Sequence, residues 1–176
     1  QRAIRTVRAN ATQWGINPDR VGIIGFSAGG HLASTAATHF DAGRADSADP
    51  VQKQSCRPDF AILVYPVITM DEQTHKGSRR NLLGENPSPE LLKLFSNEQQ
   101  VNKRTPPTFL AHAVDDKPVP IQNSRLFHEA ARKHGVASKL LELPSGGHGL
   151  NGYKGPMWDA WQKQSLEWLI EQKLHQ

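Results

Sequence analysis

Apolar residues near the start of the chain fall at Ile4, Val7, Ala11 and Trp14, spacings of three, four and three that line one face of a helix over residues 2–14. Gly15 follows where a left-handed residue would close it. Asn17-Pro18-Asp19 has turn chemistry, and the pattern then changes. Val21 to Phe26 is a short apolar run of the kind a strand shows when both its faces are buried. The alanine-rich stretch Gly29 to His39 predicts a second helix, and the polar, turn-rich residues 41–58 predict a surface loop. Phe60 to Tyr65, closed by Pro66, reads as a second strand. Residues 70–106 carry no strand pattern, and Leu91, Leu92, Leu94 and Phe95 mark one short helix there, after Pro87-Ser88-Pro89. Thr108 to Val114 predicts a third strand, Asn123 to His134 a helix ended by Gly135, and Ser138 to Leu143 a fourth strand. Trp158, Trp161, Leu166, Leu169 and Ile170 mark a closing helix over roughly 156–174. Strand and helix alternate, so the expected class is α/β, a parallel sheet of about four strands flanked by helices with right-handed crossovers.

Composition narrows the possibilities. The 176 residues suit a single domain, and 37% hydrophobic with 22% charged residues is globular, on the polar side at a mean hydropathy of −0.57. No stretch approaches the roughly 20 apolar residues of a membrane helix. The single cysteine, Cys56, excludes an internal disulfide framework and a multi-cysteine zinc site and leaves the compartment open. A net charge of +4 and a pI near 9.4 describe a basic surface. Nucleic acid is not the expected partner: Arg2, Arg5 and Arg8 share one short helix with little aromatic company, and Arg79-Arg80 is too short to form a patch. The chain opens at Gln1 inside a helical pattern, with neither a start residue nor a signal peptide, and is expected to be a piece of a longer protein.

Chemistry concentrates at Gly25-Phe26-Ser27-Ala28-Gly29-Gly30-His31, a Gly-x-Ser-x-Gly pattern where a predicted strand turns into a helix. A sharp turn there would lift the Ser27 hydroxyl above the sheet as a nucleophile. It would also aim the Ala28 N–H, at a helix N-terminus, toward a developing oxyanion. Gly25 and Gly29 are both expected to be required, because a side chain at either would meet opposing backbone. A serine nucleophile needs a base, and the base an orienting acid. His148, in the loop Ser145-Gly146-Gly147-His148-Gly149, is the candidate base. His31 and His112 lie on predicted core elements as packed or supporting groups, while His39, His75, His128, His134 and His175 read as surface. Asp115-Asp116, after the third strand, supplies two candidates for the acid, either of which could instead cap its turn.

The chain resembles the carboxyl-terminal part of an α/β-hydrolase of the esterase/lipase type, close to bacterial acetyl xylan esterases and related carbohydrate esterases. The resemblance rests on Gly22–Ala33, Arg57–Val67, Thr105–His112 and Gly146–Gly149, and on the order Ser, Asp, His along the chain. It implies a Ser27–Asp116–His148 triad, Asp116 being favoured over Asp115 because Asp116-Lys-Pro-Val-Pro120 fits the family's acid followed by x-x-Val-Pro. It implies a serine esterase acting on small-molecule or carbohydrate esters, acetylated xylan among them, with no metal or organic cofactor. No His-Gly-Gly-Gly segment is present, so the second oxyanion donor and the first half of the family's sheet are expected upstream. The first strand would then be a bare edge open to self-association, and the chain alone a weak esterase. Residues 70–104 fall where the fold inserts substrate-covering elements, and Trp158 and Trp161 are expected to be core rather than a sugar platform. Two other readings are a prolyl-oligopeptidase-type peptidase and a non-catalytic interaction domain. The second sits badly with a chain that keeps all three triad candidates.

Overall fold

The structure, a computed structural model, describes residues 1–174. It runs α1 (Arg2–Ala9), α2 (Ala11–Trp14), β1 (Gly22–Phe26), α3 (Ser27–Thr38), β2 (Phe60–Val64), α4 (Lys76–Leu83), α5 (Pro89–Phe95), a 3-10 turn at Asn97–Gln100, β3 (Thr108–Ala113), α6 (Gln122–Lys133), β4 (Ser138–Leu143), the short turn α7 (Leu150–Tyr153) and α8 (Pro156–Glu171). The strands form a parallel sheet in the order β1-β2-β3-β4, four-stranded among the described residues.

The period-two alternation of each strand sorts the core. Ala61, Leu63 and Leu110 face α3 and α6, meeting Ala33, Ala37, Phe127 and Ala131. Ile62, Val64, Phe109 and Ala111 face α8, meeting Trp161 and Trp168. A third cluster, Val67, Met70 and Val119, lies beyond the strand ends, where Leu83 of α4 and Leu92 and Phe95 of α5 close over it. Both faces of β2 and β3 are covered, whereas β1 is an edge on which Ile24 is 49% exposed. No described helix is long and apolar enough to cross a membrane.

Three sequence expectations shift. The helix over residues 2–14 breaks at Asn10 (φ −104°, ψ 8°), whose side-chain amide donates to the Thr6 carbonyl at 2.8 Å and draws the backbone out of helical geometry. The helix expected from Gly29 starts two residues earlier, at Ser27. Residues 70–106 hold α4 as well as the expected short helix. Helix α4 carries no apolar stripe because it buries no residue fully; Leu83 at its end touches the third cluster. Its N-terminus is capped by His75, whose Nδ1 accepts from the Ser78 N–H at 3.2 Å.

Candidate active site

The turn from β1 into α3 leaves Ser27 with φ 51°, a conformation that costs a non-glycine residue about 1–3 kcal/mol. Close backbone approach holds it there. A Cβ on Gly25 would lie 2.2 Å from the Gly29 carbonyl oxygen, and one on Gly30 2.5 Å from Pro66 Cβ. A Cβ on Gly29 would meet nothing within 4 Å, so the second position with no room for a side chain is Gly30 and not Gly29 as expected. The Val67 N–H also donates to the Ser27 carbonyl at 3.0 Å, tying the elbow to the loop after β2.

The other two candidates converge on this elbow from separate loops. Ser27 Oγ lies 2.8 Å from His148 Nε2, and His148 Nδ1 lies 2.8 Å from Asp116 Oδ2. The Asp116 side chain has no solvent exposure, and its Oδ1 accepts from the Val119 N–H at 3.0 Å. Burial pushes the Asp116 carboxyl up, but hydrogen bonds from His112, the Val119 N–H and His148 outweigh it and hold the group below the usual carboxylate range. It is therefore ionised at neutral pH, as a partner to an imidazole N–H should be.

Asp115 does not face His148. Its carboxylate accepts from the Gly147 N–H at 2.8 Å and the Gly146 N–H at 3.3 Å, so it clasps the loop that carries the histidine. Gly146, Gly147 and Gly149 all have positive φ, and the fully buried Leu150 anchors the loop's far end. Tyr65, which has φ 38° just past β2, packs its ring edge-on to His148 at 4.9 Å. Periodicity assigned neither Asp115 nor Tyr65 these contacts; the adjacent acids and the Tyr-Pro closing the second strand were the available signals.

The remaining histidines are mostly structural. His31 is buried with Nε2 2.8 Å from the Phe95 carbonyl, linking α3 to α5, and burial lowers its pKa. His112 is fully buried beside Asp116. His39, His75 and His128 are half-buried rather than surface groups, with partners at Thr38, Ser78 and Ser138. His134 is exposed, and His175 lies outside the described residues.

Two openings flank the serine. A cleft of about 390 Å³ is lined by Phe26, Ser27, Tyr65, His148, Tyr153 and Trp158. Trp158 borders the serine and also packs, partly buried, against the core cluster in which Trp161 is buried. A second cleft of about 340 Å³ runs from Ala28 along α3, past His31 and Leu32, to Met70, Leu82 and Phe95. Here α4 and α5 form a wall. Among the described residues no group of three or more His, Cys, Asp or Glu side chains could hold a metal ion.

This arrangement has relatives. The chain is 41% identical over 160 residues to the endo-1,4-beta-xylanase B of Butyrivibrio fibrisolvens, covering 91% of this chain and 25% of that protein. It is 40% identical over 154 residues to an acetylxylan esterase of Xylanibacter ruminicola, covering 85% of this chain and 30% of the relative. The chain therefore spans about a quarter to a third of the length of these curated relatives. Among solved structures, the acetyl ester-xyloside bifunctional hydrolase of Caldicellulosiruptor lactoaceticus superposes with a TM-score of 0.95 at 46% identity, over 99% of this chain and 64% of that one. A family description matches residues 1–131, a span that holds Ser27 and Asp116 and stops short of His148. On that match and on its sheet, the chain belongs to the BD-FAE family, on the α/β-hydrolase fold.

Proposed function

We propose that the protein is a serine carboxylic ester hydrolase that removes acetyl groups from sugar esters such as acetylated xylan, with Ser27, His148 and Asp116 as its triad. The observation that carries this reading is the unbroken chain from Ser27 Oγ through His148 to Asp116, both links at 2.8 Å, with the serine on a backbone held in an otherwise disfavoured conformation.

Ser27 Oγ attacks the ester carbonyl carbon while His148 Nε2 takes its proton. The resulting oxyanion is met by the Ala28 N–H at the start of α3. The tetrahedral species collapses, the C–O bond to the sugar breaks, and His148 returns the proton to the departing hydroxyl. Water, deprotonated by His148, then attacks the acyl-serine and releases acetate and free Ser27. Asp116 remains ionised throughout and holds the imidazole with its proton on Nδ1 in the resting state.

The sugar ester as substrate rests on the printed names of the relatives, an acetylxylan esterase and an acetyl ester-xyloside hydrolase. Neither name points to a peptidase. The free edge of β1, with Ile24 half exposed, is the surface on which the chain would pair with another strand.

The test is Ser27→Ala in the full-length protein, assayed on a chromogenic acetyl ester and on acetylated xylan. Loss of kcat on the order of 10⁶-fold is expected, together with loss of covalent labelling by a fluorophosphonate. Wild-type turnover, or labelling that survives, would remove Ser27 as nucleophile.

A further inference from the structure

Asp116 sits between two imidazoles. Its Oδ2 accepts from His148 Nδ1 at 2.8 Å, and His112 Nε2 stands 3.2 Å from the same oxygen. His112 belongs to β3 and is closed to solvent, with Nε2 also 2.9 Å from the Val119 carbonyl oxygen and Nδ1 2.8 Å from Ser124 Oγ on α6. Carbonyl and carboxylate oxygens accept and do not donate, so Nε2 must carry the proton and share it between Val119 and Asp116. Nδ1 then accepts from the Ser124 hydroxyl. That single tautomer satisfies both ring nitrogens, and it presents a second donor to the carboxylate oxygen that the base contacts.

Nothing in the reaction described above uses His112, yet the site has a use for it. Neither side chain of the His112–Asp116 pair has any solvent exposure, so bulk solvent does not reach the carboxylate. A buried carboxylate with too few donors takes up a proton and then cannot orient an imidazole N–H. Among the described residues, the donors to Asp116 are the base itself, the Val119 N–H on Oδ1 and His112 on Oδ2. The other ionisable groups nearby do not replace it. Glu142 faces His112 from β4 and is paired with Arg125. Tyr65 approaches from the end of β2, its hydroxyl pushed up to about 12, chiefly by burial. Asp115 and Lys117 neighbour Asp116 in the chain, and Asp115 is turned to the histidine loop.

We propose that His112 is a positioning residue of this hydrolase, whose Nε2–H, held in place by Ser124, keeps Asp116 both ionised and aimed at His148. The proposal rests on the triad reading, because an acid with no base to orient needs no such support. His112 touches no reacting atom; it acts through Asp116.

The experiment compares His112→Leu, His112→Gln and Ser124→Ala with the wild type in the full-length protein. It measures kcat, KM, the pH dependence of kcat/KM on a chromogenic acetyl ester, and urea unfolding. His112→Leu removes the donor and is expected to lower kcat about 10- to 100-fold, the range of a hydrogen bond to a charged group, with KM unchanged. The acid limb of its profile should move to higher pH, because the coupled Asp116–His148 pair then takes up a proton more readily. Gln can place an amide N–H near the position of Nε2, so His112→Gln should recover most of kcat and return the limb toward wild type. Ser124→Ala, which frees the far side of the ring, should move the limb in the same direction by less.

A Leu variant with wild-type kcat and an unmoved limb overturns the proposal. So does an equal loss in the Leu and Gln variants that follows their unfolding and leaves the limb in place, since that is a packing effect. Should His112→Leu fail to fold, Ser124→Ala with an unmoved limb overturns it instead. Ser27→Ala, run alongside, separates the two levels. Turnover surviving in that variant defeats the triad itself, whereas an inactive Ser27→Ala beside unchanged His112 and Ser124 profiles defeats the positioning role alone.

Discussion

Around Ser27, the side chain is placed by how closely backbones approach, whereas around His148 it is placed by carboxylates reaching in from another loop. At the elbow, Gly25 and Gly30 lie so close to Gly29 O and to Pro66 that a methyl group cannot fit, and the Val67 N–H closes the turn. The histidine loop has no such steric lock. Several of its residues sit at positive φ, and Asp115 and Asp116 hold it by hydrogen bonds to Gly146, Gly147 and His148. A nucleophile fixed by sterics is stiff and tolerates no added atoms. In the proposed mechanism, a base fixed by hydrogen bonds keeps some freedom to tilt as it passes its proton from serine to leaving group, and loses its place when an acceptor goes.

The sharpest blow to the second region is Asp116→Asn. The amide can offer its N–H to His148 Nδ1, which favours the tautomer with the proton on Nε2 and leaves Ser27 without a base. A fall in kcat of roughly 10⁴-fold is expected in the full-length protein, with the fold retained. Activity within about tenfold of wild type would mean that the acid does not select the tautomer.

The first region breaks differently. Gly25→Ala drives a methyl group into the Gly29 carbonyl, and a clash with backbone is not relieved by rotating a side chain. Destabilisation of about 3 kcal/mol and loss of fluorophosphonate labelling are expected. Gly29→Ala is the internal control. It meets open space, has no positive φ, and lies in the first turn of α3, so it should be neutral or stabilising by about 0.5 kcal/mol. Equal losses in the two variants, read from urea unfolding, would show that the elbow needs glycine for flexibility and not for close approach.

The two regions also differ in how far they could be read from sequence. A steric lock leaves a local signature, because its parts lie within a few residues: strand, Gly, Ser, Gly, helix. The exchange of Gly29 for Gly30 there has its cause in the second contact, which comes from Pro66, just past the neighbouring strand. A hydrogen-bonded placement joins residues far apart in the chain, and alternation of apolar positions carries no trace of it. Asp115 and Asp116 are chemically alike and adjacent, so pattern alone left both open and a family resemblance had to favour one. The break at Asn10 and helix α4 went unread for a similar reason. A side-chain amide competing for one carbonyl, or a helix that packs by its end, leaves no apolar stripe.

The gentlest test isolates the clasp that Asp115 provides. Asp115→Ala removes the acceptor for the Gly146 and Gly147 N–H groups and leaves the side chains of the proposed triad in place. The site is exposed, so water can take over both donors and the fold should lose little. What changes is how often His148 is in line with Ser27 Oγ. That should appear as kcat lower by about 5- to 10-fold with KM unchanged, the scale of one ordinary hydrogen bond. Asp115→Asn keeps a side-chain oxygen able to accept from Gly147, the shorter of the two bonds, and should recover part of the loss. An Asp115→Ala enzyme with wild-type kcat would mean that the glycine backbone and the buried Leu150 already fix the loop. The base would then be held much as the nucleophile is, by the conformation of its own chain, and the contrast between the two regions would narrow to the Asp116 link.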